Sequence, residues 1–326
     1  MLDPTDTQII RCLQDDGRAS WTQIAKHIGI PTSTAFRRGN ALLDNGIILV
    51  GALPTRYPEQ ARIYDLRVRC RPSTQRSVAH ELAHRSDTRW VAVITGEYDV
   101  AAEIVVADGQ DLAELLIDQV QHNPDVLATD TALVLAEHVV FNDWPRHYAD
   151  QQGPQPPRHI CSPDHLDATD RAVLAQLREN GRASYAAVAA ALDLSENTVR
   201  RRCTEMFTKG CASIITLVQP SSLGYHEELL MRLDIHPRHV DEAIATLSAQ
   251  NGVHHVSSTW GTTSLTCELM LPSPQDVRTF QREVIAQLPG LNRMTAEIEL
   301  IVYKRGFLLS PWMKQQTSSQ PTAKND

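Results

Sequence analysis

Apolar residues recur at helical spacing from the start of the chain. Ile9, Ile10 and Leu13 form one stripe; Ile24, Ala25 and Ile28 form a second; Ala35, Gly39, Leu42 and Leu43 form a third. Polar breaks separate them. Asp15-Asp16-Gly17 ends the first, Gly29 lies in a tight turn before the third, and Gly46 ends the third. Asp3 and Ser20 stand at N-cap positions, Pro4 at a first helical position, and Gln23 completes a capping box with Ser20. Three short helices, the last two joined by a short turn, predict a helix-turn-helix unit with a strand over 47–53 leaving it.

After residue 60 the period changes. Alternating positions predict strands over 63–69, 90–95, 100–106 and 132–141, and helical spacing predicts helices over 75–83 and 112–120. The order β-α-β-β-α-β is the ferredoxin-like split pattern.

The whole arrangement then returns. Leu2-Asp3, Thr5-Asp6 and Gly17-Arg18-Ala19-Ser20 recur as Leu166-Asp167, Thr169-Asp170 and Gly181-Arg182-Ala183-Ser184. Thr34, Arg37, Arg38 and Gly46 recur as Thr198, Arg201, Arg202 and Gly210, at a constant offset of 164 (167 − 3; 210 − 46). Val173, Leu174, Leu177, Val188, Ala189 and Leu192 repeat the apolar stripes, Asp193 takes the turn, and a strand over 211–218 follows. Ser184 caps its helix, but Ala187 removes the capping box. Strands over 229–235, 253–259, 265–271 and 296–303 and helices over 240–248 and 275–288 complete the second copy, displaced by about one residue from the first offset. A period this long indicates a duplicated domain pair, not a solenoid.

The expected organisation is therefore α+β, with two tandem copies of a winged or three-helix helix-turn-helix unit followed by a ferredoxin-like βαββαβ domain. The units fall at 1–55, 60–143, 165–219 and 224–306. A Gln- and Pro-rich linker spans 144–164, and a polar, disordered tail is expected over 307–326.

The net charge of −8 argues at first against a nucleic-acid partner, but groove binding needs only a local basic surface. The six cysteines show no Cys-x-x-Cys spacing and mostly fall in apolar stretches, which predicts buried free thiols in a reducing, cytoplasmic setting. No membrane span or signal peptide is expected.

A local basic surface lies in the third helix of each copy. With Val199 at the centre of the buried face, Cys203, Met206 and Phe207 fall beside it, while Asn197, Arg201, Thr204 and Glu205 face outward with Thr198 next to them. The first copy gives Ala35, Gly39, Leu42 and Leu43 inward and Ser33, Arg37 and Asn40 outward, so Gly39 occupies a packed position where a small residue is tolerated. Side chains at the start of such helices reach base edges, and others grip phosphate. The expected readers are Ser33, Thr34, Arg37, Asn197, Thr198 and Arg201, with Arg38, Arg200 and Arg202 as phosphate contacts. A solvated basic face is an equal explanation for one such helix; the full three-helix context, present twice, favours double-stranded DNA. The contrasts Ser33/Asn197 and Phe36/Arg200 predict an imperfect palindrome.

The Leu-Asp-x-x-Asp opening, Gly-Arg-Ala-Ser, the Thr-x-x-Arg-Arg helix and the βαββαβ partner resemble the Lrp/AsnC family of transcriptional regulators, in its tandem-duplicated form. The resemblance implies a sheet-to-sheet pairing of RAM-type effector and dimerisation domains, here within one chain, and further assembly into homo-oligomers. It also implies a small effector, often an amino acid, near a Gly-x-Tyr-Asp loop. That loop stands as Gly96-Glu97-Tyr98-Asp99, where an acid could hold an ammonium group; an ordinary polar hairpin turn explains the same residues. The second copy has Gly261-Thr262-Thr263-Ser264, without tyrosine or acid.

Two alternatives belong beside this reading. Siroheme decarboxylases share the architecture, and His254-His255, Trp260, His80 and His84 are the nearest candidates for such chemistry. No catalytic triad, carboxylate pair or phosphate loop stands out, so no catalytic residue, cofactor or metal is assigned. A third possibility is an assembly partner that keeps the fold without binding DNA.

Overall fold

The computed structural model describes residues 2–55, 61–107, 109–140 and 166–310. The first copy opens with α1 (Pro4–Asp15), α2 (Trp21–Ile28) and α3 (Thr32–Asp44), followed by β1 (Ile48–Pro54). The second opens with α6 (Ala168–Glu179), α7 (Tyr185–Leu192), α8 (Glu196–Thr208) and β6 (Ala212–Val218). The caps form as their residues dictate. Asp3 accepts from the Asp6 N–H, Ser20 and Gln23 form the capping box, and Ser184 accepts from the Ala187 N–H. Gly29 (φ 74°) and Asp193 (φ 53°) take the left-handed turn between the second and third helices.

β1 and β6 do not form separate wings. They pair with each other, antiparallel, with Gly51 opposite Ile215 at the centre of seven residue pairs. The two three-helix units are thus joined through one ribbon, which replaces the winged arrangement expected for each copy.

In the first α/β half come β2 (Arg62–Cys70), α4 (Gln75–His84), β3 (Thr88–Ile94), β4 (Val100–Val106), the π-helical α5 (Glu114–Val120) and β5 (Val126–Val140). In the second come β7 (Glu227–Ile235), α9 (Val240–Ser248), β8 (Val253–Trp260), β9 (Leu265–Leu271), α10 (Pro274–Glu283) and β10 (Leu291–Arg305). The strand orders are β5-β2-β4-β3 and β10-β7-β9-β8. β5 pairs with β2 over its first part and with β8 over its second; β10 pairs likewise with β7 and then β3. The eight strands therefore close into a ring. One face of each sheet packs under its helices: Leu66, Val68, Ala102 and Ile104 with Val78, Leu82 and Leu115, and Leu233, Cys267 and Leu269 with Ala243, Leu247 and Phe280. The alternate side chains turn into the ring, as the two-residue period of a strand requires.

Three expectations change. β5 begins at Val126 and β10 at Leu291, earlier than 132 and 296. The helix expected over 275–288 ends at Glu283, and a 3-10 turn, Ile285–Gln287, follows. The expected tail is ordered at its start. β11 (Leu308–Leu309) pairs with β10, and Leu308 is buried among Leu53 and Leu217. The remainder of the tail and the linker lie outside the described residues.

Candidate nucleic-acid interface

The helical wheels hold. Ala35, Gly39 and Leu42 are buried in α3, and Val199, Cys203 and Met206 in α8. Ser33, Arg37, Asn197, Arg200 and Arg201 are exposed; Thr34 and Thr198 are half-buried. Arg200 pairs with Glu196 at 2.6 Å and Arg201 with Glu205 at 3.3 Å, one turn along the same exposed face. Such pairs are weak and exchange readily for a phosphate or a base edge.

Arg38 and Arg202 have another task. Arg38 reaches Asp3 and Asp6 (2.5 and 2.8 Å), and Arg202 reaches Asp167 and Asp170 (both 2.8 Å). Hydrogen bonds donated to these carboxylates raise the pKa of both arginines. The Asp6 and Asp170 backbone N–H groups, with Arg38 and Arg202, hold the cap acids Asp3 and Asp167 below the usual range. Each arginine therefore ties its third helix to the capped start of its first helix. Their expected role as phosphate contacts is a separate matter, since both side chains remain partly exposed.

The repeated Gly-Arg-Ala-Ser segments meet across the two copies. Arg18 donates to the carbonyls of Gly181 and Ala183 (2.5 and 2.9 Å) and lies over the Tyr185 ring at 4.5 Å. Arg182 donates to the carbonyls of Gly17 and Ala19 (2.6 and 2.9 Å) and lies over the Trp21 ring at 4.3 Å. The contacts are reciprocal, as a two-fold relation between the units demands. Burial, with the Arg18 charge nearby, lowers the Arg182 pKa. Gly181 is required by the approach itself: its N–H donates to Val50 O at 2.8 Å, and a Cβ would lie 2.9 Å from the Val50 backbone.

Trp21 explains Gly39. A Cβ at residue 39 would lie 2.1 Å from the indole ring. In the second copy the equivalent residues are Tyr185 and Cys203, and both belong to one apolar cluster. Alanine is the better helix former by about 1 kcal/mol, yet Gly39→Ala is expected to destabilise the chain by about 1–3 kcal/mol, the cost of overpacking. Denaturant melts of the two proteins check the sign.

The Gly96–Asp99 loop lies where the two sheets meet. Tyr98 sits between Arg69 and Arg232, whose guanidinium carbons are 5.4 and 5.5 Å from the ring centre. Arg232 comes from the second copy and pairs with Asp130 at 3.0 Å. Glu97 pairs with Arg69 at 2.9 Å. Asp99 accepts from the Cys70 N–H at 2.7 Å, so its carboxylate is already engaged in fixing the loop. Ser264 does the same in the second copy, accepting from the Ile235 N–H at 2.7 Å. The shared duty accounts for an acid in one loop and a hydroxyl in the other.

Inside the ring, charge is concentrated and largely paired. Arg67 bonds Asp65 and approaches Glu297 at 3.4 Å; Arg305 meets Glu268 at 2.7 Å and Glu299 at 3.4 Å. Burial raises the pKa of Glu297, and burial with neighbouring Glu268 raises Glu299 well above the carboxylate range. Burial acts against Glu268 as well, but Arg305 and His254 outweigh it and hold that group low. His254 and His255, candidates for decarboxylase chemistry, are buried; His254 lies 3.0 Å from Glu268 and His255 3.6 Å from Glu103. His80 and His84 stack on each other on α4, with ring centres 4.1 Å apart. Among the described residues no metal-binding group of three or more such ligands occurs, and no helix is long and apolar enough to cross a membrane. Cys12, Cys70, Cys203 and Cys267 are free thiols, but Cys211 is disulfide-bonded, which corrects the expectation of free thiols throughout.

The pattern of the AsnC-type helix-turn-helix domain matches residues 2–43 and again 166–206, and that of the Lrp/AsnC ligand binding domain matches 66–142. The chain belongs to the Lrp/AsnC family. A helix-turn-helix-type transcriptional regulator of Pyrococcus furiosus is 32% identical over 139 residues, covering 41% of this chain and 92% of that protein. The regulator LrpA of Pyrococcus horikoshii is 29% identical over 139 residues, covering 41% and 97%. Across the whole chain, the fold is similar to that of the siroheme decarboxylase NirDL, with a TM-score of 0.60 at 11% identity over 97% of this chain and 99% of that one. At that identity the likeness concerns the fold alone.

Within this family frame, the residues that sequence reasoning missed are Arg18, Arg182, Trp21 and Tyr185. Their signal was present, since Gly-Arg-Ala-Ser followed by an aromatic residue occurs twice. What it lacked was the partner, which lies in the other copy.

Proposed function

We propose that this chain is a sequence-specific DNA-binding transcriptional regulator in which α3 and α8 read the two halves of an imperfect palindrome. The observation that carries this reading is the reciprocal pairing of the two three-helix units, which offers two exposed helix faces from one joined body. Ser33, Thr34, Arg37, Asn197, Thr198 and Arg201 lie nearest the bases, with Arg200 on phosphate. In this reading the chain is a tandem form with helix-turn-helix units over 1–55 and 165–219 and RAM-type, ferredoxin-like domains over 60–143 and 224–306. The two α/β copies act as an intrachain pseudo-dimer, and whole chains assemble further. A small effector, such as an amino acid, acts at Gly96, Glu97 and Tyr98 against Arg69 and Arg232, while Asp99 shapes the loop.

Sequences selected by the protein from a random duplex pool, tested by mobility shift over a salt series, examine the proposal. Binding is expected to weaken steeply as salt rises, because phosphate contacts release counterions. No binding at low salt would return the chain to the role of assembly partner. The decarboxylase reading shares the fold only; a bound tetrapyrrole that loses carboxylate, seen by absorption during siroheme titration, would replace the regulator.

A further inference from the structure

We propose that Phe36 reads thymine in the first half-site through the C5 methyl group of the base. The inference rests on the DNA-reading role of α3 and adds to it a residue and a base type. Phe36 is 55% exposed, an aromatic ring standing in water on a polar helix face. It does not fill the seam between α2 and α3, because Trp21 occupies that space beside Gly39. Along α3 it lies three residues after Ser33 and four before Asn40, so the three share one flank of the helix. If Ser33 and Asn40 face a groove, Phe36 faces it too.

The comparison between copies isolates this position. Arg200 stands at the equivalent place in α8, paired with Glu196 at 2.6 Å and lying 5.1 Å from the centre of the Tyr185 ring. In the first copy, Thr32 replaces Glu196 as Phe36 replaces Arg200. The ion pair is thus absent as a unit, and an uncharged phenyl ring stands in its place among polar neighbours. An exposed phenyl ring gains nothing in water, but it gains when binding removes it from water. In the major groove the apolar group at a base edge is the thymine methyl; the other groups are hydrogen-bond donors and acceptors. The first half-site is then read by an apolar contact beside Arg37, and the second by Asn197, Thr198 and Arg201, with Arg200 on the neighbouring phosphate.

The test uses the full chain and a duplex it has selected. Each thymine is replaced in turn by deoxyuridine, which removes the methyl group and leaves the hydrogen-bonding groups in place. At one or two thymines of a single half-site the replacement is expected to weaken binding about fourfold each, the worth of one buried methylene-sized group. In Phe36→Ala the thymine and uridine duplexes bind equally, while the melting temperature of the protein stays that of the wild type. Equal binding of all thymine and uridine duplexes by the wild type would overturn the proposal. So would a thymine preference that survives in Phe36→Ala. A chain that selects no sequence overturns this inference and the DNA-reading role together, an outcome distinct from selecting a site that ignores the methyl group.

Discussion

Arg201→Ala weakens binding to a selected duplex by roughly 10- to 100-fold, the value of one good bidentate contact to a base, and leaves the melting temperature nearly unchanged. The expectation follows from position. Arg201 faces outward from α8, and its side chain is 62% exposed. Its ion pair with Glu205 is one turn away on an exposed helix surface and contributes about 0.3–0.5 kcal/mol. Arg202, the next residue, behaves in the opposite way: its replacement releases Asp167 and Asp170 and is felt in stability first. Fluorescence anisotropy with labelled duplex and a thermal melt, run on both variants, separate reader from scaffold. Loss of folding in Arg201→Ala would place it in the scaffold instead.

The second large effect belongs to the reciprocal arginines. Arg18→Ala combined with Arg182→Ala removes four hydrogen bonds from charged donors to backbone carbonyls and two cation–π contacts. Such hydrogen bonds contribute about 1.5–3 kcal/mol each, and stacked guanidiniums about 0.5–2 kcal/mol, but the two like charges repel. A net loss of about 2–5 kcal/mol is expected for the pair of changes, since breaking a partly buried network falls at the upper end of single-site effects. The more telling result is on DNA. Joining two readers in one body makes the second contact intramolecular and raises its effective concentration. Without the lock, affinity for the full site falls by at least tenfold, about 1.4 kcal/mol, while affinity for an isolated half-site is unchanged. Equal losses on both duplexes would show that the arginines support the units separately and do not set their spacing.

Much of this molecule was readable from its residues, and the boundary of legibility has physical causes. Caps, turns and buried helix faces are local. Asp3, Ser20, Gly29 and Val199 act on neighbours within a turn or two, so periodicity and spacing reveal them. Closure of the sheet is not local. The early parts of β5 and β10, such as Ala128-Thr129-Asp130 and Asn292-Arg293-Met294, lack apolar alternation: their side chains are exposed or half-buried, and Asp130 pairs with Arg232 of the other copy. Their strand state is set by backbone pairing to a partner that sequence alone does not name. The same limit explains the arginines. Arg37 and Arg38 are adjacent, yet helical geometry turns them about 100° apart, one outward and one onto Asp3 and Asp6. The hydrogen bond from Cys70 N–H to Asp99 joins residues 29 apart in the chain, so spacing alone does not reveal it.

The central claim is that two unequal readers are held in one body, and half-site exchange tests it most directly. From the selected duplex, two perfect palindromes are made, each doubling one half-site at the original spacing, and their affinities are compared with that of the parent. The parent is expected to bind more tightly than either palindrome, because each palindrome offers one helix the wrong bases, at about 1–3 kcal/mol per mismatched pair. A palindrome that binds as tightly as the parent would contradict the claim and make α3 and α8 equivalent readers.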